Sequence, residues 1–502
     1  MPLSVADRRR LLAAGRREVV DGLLVVHLAG DPYAIGLQHG TLCRDEIHGL
    51  RRASYRYLSG EVARALRLPR AAARLITRPL LLWQTRAYLP FIPHEQLEEM
   101  RGIAEGARVP VLEAVLINAI WELYLASGCS EFAVRGRKSA DGGLLHGYNY
   151  DLLDPSHAFI NPFLALLFCR PSGGAAFVQL NMVGCAGVNA GLSTRGISVA
   201  WDNSVLRPDS KLLAGVPRHC TPFVLALRQL IQHADSLESA VEIMHGHLPR
   251  PLADIIIVGE ARGNRAAAIE TAGRALVVRE MQDDAVWSAN SFVSPELAPE
   301  DRPGLPGGGP GETANSQGRY TSYGELLGQG STCLDVAGAA AALRDPYPRE
   351  RRGYVYPAAA RPRTICRPLT SFSLVMQPQR GRIWVGDLRI PAPLGRYIGF
   401  DLAAEAPLSE APIPTTGFHQ AMEGYEHFVA GRCEDAIAAL GRALALDGPS
   451  APLRLMLAEV HRAQRRPAAA REQERLAREA GAREGERVPF PSAIRPLTYL
   501  ML

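Results

Sequence analysis

The sequence predicts an α+β fold, and three observations predict it. Most of the stretch from Asp31 to Ser127 reads as helix. From Phe132 to Asp202, short apolar strands follow one another, many separated by glycine-rich turns. Beyond them, helices and strands come in blocks and not in βαβ alternation, which favours packed layers over a doubly wound parallel sheet.

Taken in order, Arg17–Ala29 is rich in Val and Leu and reads as one strand. In the turn Gly30-Asp31-Pro32-Tyr33, Asp31 suits a helix N-cap and Pro32 the first helical position. One helix is expected from there through His39, Gly40 and Cys43 to about Leu66. Pro93–Met100 has amphipathic spacing, and Val109–Ala114 opens another helix. Strands are expected at Phe132–Arg135, Leu144–Tyr150, Phe163–Cys169, Ala176–Met182, Val188–Leu192 and Ile197–Asp202. Helices at Phe223–His233 and Ser236–Met244 come next, then strands at Leu252–Val258, Arg265–Glu270 and Ala275–Glu280. Ser294–Gly311 reads as a Pro/Gly-rich loop, Gln317–Leu327 and Cys333–Ala342 as helices, and Thr370–Met376 with Arg382–Gly386 as a last hairpin. Glu405–Thr416 reads as a proline-bearing linker to a helical tail. There Gly424, Ala436 and Ala443 recur as Ala458, Ala470 and Ala477, a period of 34 residues that matches the tetratricopeptide repeat. About two such units are visible, fewer than usually stand alone, and an ordinary helical hairpin is the alternative.

The chain has 502 residues, 47% of them apolar and 21% charged, which fits a globular protein of two domains, or of one large domain with an appendage. A net charge of +5 with scattered basic residues gives no stripe for nucleic acid. Eight cysteines without a CxxC pair support neither a zinc ribbon nor a dithiol site, and their dispersal fits a reducing cytoplasm. No signal peptide and no apolar run long enough to span a bilayer are read, so no membrane partner is expected, and neither metal nor cofactor.

The candidate chemistry centres on Gly128-Cys129, where a thiol stands at the head of a strand. Asp151, at the end of the returning strand, can orient an amine or a polar group of a substrate. Asn203 and Asn290 each close a strand, and an Asn side chain there can donate to an oxyanion. Arg319 follows in Asn315-Ser316-Gln317-Gly318-Arg319, read as a helix opening. Each has an ordinary explanation as well: a buried thiol, a turn aspartate, asparagines capping turns. Cys185, among glycines, is a second thiol to weigh, and His39 reads as a structural histidine.

The order Cys, Asp, Asn, Asn, Arg on this strand pattern resembles the cysteine N-terminal nucleophile hydrolases. Within them the chain is similar to the acyl-coenzyme A:6-aminopenicillanate acyltransferase family, relatives of the choloylglycine hydrolases. Gly30–Gly40 and Glu99–Gly106 carry matching marks, and the resemblance runs from about Val19 to Leu402. It implies an αββα sandwich made as a precursor that cuts itself between Gly128 and Cys129. Residues 1–128 would be a retained pro-segment, 129–402 the catalytic domain, 403–416 a linker and 417–502 the tail. The free α-amine of Cys129 would then act as base for its own thiol. Asp151 would position that amine, Asn290 contact the oxyanion or amine, Asn203 donate to the oxyanion, and Arg319 match a late arginine. Tyr148 stands where relatives carry arginine or glutamine, and is read as a substrate contact. The implied reaction is acyl transfer from a linear amide to water or to an amine. An acyl thioester donor, or a non-catalytic scaffold that binds a partner or a second copy through its tail, are the alternatives.

Overall fold

The computed structural model describes residues 4–123, 127–152, 160–207, 209–301, 311–328, 332–345, 364–367 and 369–481. After a short helix α1 (Val5–Leu12), the first apolar run folds as a hairpin and not as one strand. Asp21 and Gly22 both take positive φ, the geometry that an Asp-Gly turn favours, so β1 (Arg16–Val20) turns back against β2 (Leu23–Gly30). Asp31 caps helix α2 (Pro32–Leu42), accepting the Ala34 N–H at 2.8 Å. The single long helix expected next breaks at Cys43, whose φ of −112° and ψ of 25° are not helical. Helix α3 (Arg44–Ala65) starts beyond the break, and α4 (Arg70–Thr85), α5 (His94–Ala107) and α6 (Val111–Leu123) complete the N-terminal helical block.

The marks Gly36/Gly40 and Gly102/Gly106 now have a physical reason. They face each other where α2 crosses α5. A Cβ on Gly36 would overlap the Glu99 carbonyl, and one on Gly102 the Tyr33 carbonyl. One on Gly106 would lie 2.6 Å from the Leu37 carbonyl oxygen. The backbones touch because the side chains are missing. Gly102→Ala is therefore expected to destabilise the protein by about 1–3 kcal/mol, the cost of overpacking where rigid backbone must move. A urea midpoint equal to wild type would contradict this packing.

The remaining strands are β3 (Ser127–Val134), β4 (Leu145–Leu152), β5 (Leu164–Pro171), β6 (Phe177–Met182), β7 (Ala190–Ser193), β8 (Ile197–Ser204), β9 (Arg250–Glu260), β10 (Arg265–Gly273), β11 (Ala275–Glu280), β12 (Ala285–Ala289), β13 (Thr370–Gln377), β14 (Arg382–Gly386), β15 (Tyr397–Asp401) and β16 (Ala406–Pro407). They form two sheets. One has nine strands in the order β1-β2-β5-β6-β7-β8-β9-β10-β11; the other has seven, β12-β3-β4-β13-β14-β15-β16. All neighbours are antiparallel except β2 and β5. Side chains of both sheets share one apolar core: Tyr150, Leu152 and Phe372 from one, Leu166, Leu180, Val199 and Ile256 from the other. Helices α2, α7 (Phe223–His233) and α8 (Leu237–Gly246) pack on the nine-stranded sheet. Helices α9 (Gly311–Leu327) and α10 (Val336–Leu343) pack on the seven-stranded one. The result is a four-layer αββα sandwich. No helix among the described residues is long and apolar enough to cross a membrane.

Residues 403–416 are stitched to the sandwich and do not hang free. The β16 strand extends the seven-stranded sheet, Ile413 bridges to Tyr397, and buried Glu405 meets His27 Nδ1 at 3.0 Å and Arg170 Nε at 2.9 Å. The tail forms four helices: α11 (Phe418–Val429), α12 (Cys433–Asp447), α13 (Ala451–Ala463) and α14 (Pro467–Glu479). Gly424 and Ala458 fall on α11 and α13, Ala436 and Ala470 on α12 and α14, so the 34-residue period maps helix onto helix. These small residues are buried. Cys366 and Leu394 of the sandwich join the tail's apolar core.

Candidate active site

The site is built where β3 and β4 run antiparallel in the space between the sheets. Gly128 pairs with Asp151 and Cys129 with Tyr150. Cys129 is 1% exposed, and its atoms are addressed one by one. Its backbone N–H donates to Asn290 Oδ1 at 2.8 Å. Its carbonyl accepts from Arg319 Nη1. Its Sγ lies 3.5 Å from the Tyr148 hydroxyl. Asn290, just past β12, is held in turn: Arg319 Nη2 donates to its Oδ1 at 2.8 Å, and its Nδ2 donates to the Asn203 carbonyl at 2.7 Å. Asp151 accepts from Thr370 Oγ1 at 2.6 Å and lies 3.9 Å from Arg319 Nη1 and 3.8 Å from Arg367 Nη1. Cys129, Tyr148, Asp151, Asn203, Asn290 and Arg319 thus gather in one buried cluster.

Four details depart from the sequence reading. In the uncut chain the Cys129 nitrogen contacts Asn290, while Asp151 stands across the strand pair at the level of Gly128. Tyr148 is fully buried, its hydroxyl donating to the Trp201 carbonyl at 2.7 Å, so it forms the floor beneath the thiol and not an open substrate contact. Arg319 sits in the body of α9, which begins at Gly311, and not at a helix opening. Asn203 joins the cluster through its backbone carbonyl, with its side chain 2% exposed.

Burial pushes the Cys129 thiol well above its ordinary range, and the carboxylates of Asp202 and Asp151 push it further. The Tyr148 hydroxyl, 3.5 Å from the sulfur, and a hydrogen bond from the Asp151 backbone oppose that rise. An uncut chain therefore holds a neutral thiol. Sequence reading missed Thr370, Arg367, Glu131, Asp202 and Ser288 around Cys129. One signal was available: Glu131 lies two residues from Cys129 and so shares its strand face.

Cys185 and His39 lie elsewhere. The glycine-rich loop after β6 is held by the N-terminal helices. Asn118 Oδ1 accepts the Ala186 and Gly187 N–H groups at 2.8 and 3.1 Å, and Cys185 Sγ lies 3.4 Å from the same oxygen. His39 Nε2 accepts the Gly184 N–H at 2.9 Å, which requires a neutral ring with that nitrogen unprotonated. Burial, with Arg228 nearby, lowers His39 from 6.5 to about 4. The unfolded chain therefore takes up a proton near pH 6.5 that the folded chain refuses until about pH 4. Stability from this group is complete above pH 6.5 and is lost as pH falls through that window. His39→Gln is expected to flatten the fall of the urea midpoint between pH 6.5 and 4; an unchanged slope would contradict it.

No family model matches the chain. An uncharacterized protein of Archaeoglobus fulgidus is 25% identical over 327 residues, covering 55% of this chain and 51% of its own length. Protein dcd1B of Dictyostelium discoideum is 24% identical over 285 residues, 54% of each. The chain thus spans about half the length of the curated relatives it matches. Among solved structures, a Caenorhabditis elegans N-acylethanolamine-hydrolyzing acid amidase ortholog aligns over 50% of this chain and 93% of its own, at 15% identity and TM-score 0.34. A variant of conjugated bile acid hydrolase from Clostridium perfringens aligns over 57% and 98%, at 12% identity and TM-score 0.34. Penicillin V acylase from Agrobacterium tumefaciens aligns over 55% and 86%, at 12% identity and TM-score 0.31. At these identities and TM-scores the likenesses say nothing of chemistry.

Proposed function

We propose that the chain is a self-processing cysteine amidohydrolase or acyltransferase that cleaves a linear amide through an acyl-enzyme on Cys129. One observation carries the reading: three separate buried side chains meet the nitrogen, carbonyl oxygen and sulfur of a single strand residue. Mere packing of a thiol asks for no such arrangement, because a buried free cysteine behaves as a small apolar side chain.

In the processing step, Cys129 Sγ attacks the Gly128 carbonyl carbon and the peptide C–N bond breaks. The nitrogen takes up the thiol proton and becomes the α-amine of Cys129, leaving Gly128 as a thioester on sulfur. Water then cleaves the thioester, giving a Gly128 carboxylate and a free thiol. In turnover the α-amine takes the thiol proton, the sulfur attacks the substrate carbonyl, and the amine leaves with that proton. Water or an acceptor amine releases the acyl group. Asn290 Oδ1, already the acceptor for the Cys129 nitrogen, holds the α-amine after cleavage, with Asp151 beside it. Asn203 and Asn290 side-chain N–H groups are assigned to the oxyanion, where one such donor contributes about 10²–10³ in kcat. Arg319 fixes Asn290 and the Cys129 carbonyl. The tail is assigned as two tetratricopeptide-like units, docked on the catalytic domain through Cys366 and Leu394.

The test is turnover by processed enzyme of a panel of linear acyl amides, with and without acyl thioesters and acceptor amines. Release of free acid from amides alone marks a hydrolase. Product formed only with an acceptor and a thioester marks the transferase alternative. Neither product from fully processed protein would favour the scaffold reading.

A further inference from the structure

Behind Cys129 lies a group of ionisable side chains that the proposed reaction does not use. Glu131, two residues along β3, points into the same space between the sheets. Its cross-strand partner on β12 is Ser288. Asp202 reaches in from β8 of the opposite sheet. Ser288 Oγ lies 3.1 Å from Glu131 Oε1 and 2.6 Å from Asp202 Oδ2. All three residues are 0% exposed. Glu131 Oε1 also accepts the Ile257 N–H at 3.0 Å, and Oε2 lies 3.3 Å from His146 Nε2. Asp202 Oδ1 is buried with no hydrogen-bond partner among the described residues.

A hydroxyl carries one hydrogen and so can donate to only one of two carboxylates. For both contacts to be hydrogen bonds, the second carboxyl must carry a proton and donate it to Ser288 Oγ. Two carboxylates so close in a buried site also resist ionising together. We propose that Glu131, Ser288 and Asp202 form a bridge that holds one shared proton behind Cys129. Through it, Asp202 is a positioning residue that fixes how much negative charge the thiol faces. This rests on the reading of Cys129 as the nucleophile.

The proton moves by a balanced exchange. The Glu131 O–H passes its hydrogen to Ser288 Oγ as the Ser288 O–H passes its own to Asp202 Oδ2. With the proton on Glu131, Asp202 is a carboxylate facing the thiol. With it on Asp202, the charge withdraws to Glu131, beside the Ile257 N–H. The groups facing the bridge are Cys129 from β3, His146, Tyr148 and Asp151 from β4, Arg279 from β11, and Arg319 and Tyr323 from α9. Burial raises Glu131 well above the carboxylate range and Asp202 to about 7, while it holds His146 neutral, at about 3.

Two isosteric variants give opposite shifts. Asp202→Asn removes the nearer charge, so the pH midpoint for iodoacetamide alkylation of Cys129, located by peptide mass, is expected to fall by about one unit. Glu131→Gln leaves the single charge on Asp202, so the midpoint rises. Shifts of the same sign, or none in either variant, would overturn the bridge. Should either variant fail to fold, infrared spectroscopy of the wild-type chain decides. The other carboxyls that burial raises are Glu99 and Asp254, each ion-paired with an arginine (Arg228 and Arg250), and Glu122 and Asp301, which are held to about 7 and so are ionised at pH 9. A protonated carboxylic acid band is expected to remain, and its absence overturns the proposal. Loss of the band in a self-cut, active enzyme sinks the bridge alone. Turnover surviving in Cys129→Ala, with the band intact, sinks the nucleophile reading instead.

Discussion

Cys129→Ala is expected to give a folded chain that remains in one piece and loses amide turnover by on the order of 10³-fold or more. The alanine removes only the sulfur. The backbone nitrogen still donates to Asn290 and the carbonyl still accepts from Arg319, so the strand pairing with β4 and the surrounding cluster persist. The void is that of one sulfur atom, which keeps the stability loss small beside the loss of chemistry. One residue carries both processing and turnover, so both readouts must fall together. A variant that cuts itself but does not turn over would separate the two steps and assign the first to another group. Gel mobility and turnover on the same preparation check both.

Arg319→Met is expected to cost about 3–5 kcal/mol of stability, the usual penalty for removing one member of a buried charge pair. Its guanidinium is fully buried and among the described residues serves the Cys129 carbonyl, Asn290 Oδ1 and Asp151. Without it, Asp151 keeps Thr370 and Arg367, but Asn290 loses the donor that fixes its amide. Arg319→Lys keeps the charge and loses the planar fork, so it should recover part of the stability and little of the activity. A urea midpoint for Arg319→Met corresponding to less than about 1 kcal/mol of loss would contradict the role of this arginine as the tie between α9 and β3.

The layers were legible because their elements carry strong local signals: the Asp31-Pro32 helix start, the alternating strands after Cys129, the repeated small residues of the tail. Breaks without punctuation were not legible. Cys43 interrupts α2 and α3 with neither glycine nor proline, and the polar first turns of α9 have no apolar period to reveal them. The Asp21-Gly22 turn was written in the sequence but lay inside a run of apolar residues. The gathering of Cys129, Asp151, Asn290 and Arg319 was implied only by the family resemblance that their order carries. The groups behind Cys129 were not implied. Glu131, His146 and Asp202 face inward, against the rule that charged side chains on a strand face water. Only the two sheets brought together show that they satisfy one another. The burial of Tyr148 was hidden for the same reason: its hydroxyl is held by the Trp201 carbonyl, from the other sheet.

On the proposed function, the bond between Gly128 and Cys129 is made to be broken. N-terminal sequencing of freshly purified, active wild-type protein tests it most directly. The account predicts two fragments that copurify, the larger beginning with Cys129. A single N-terminus at Met1 or Pro2 in fully active protein would contradict it.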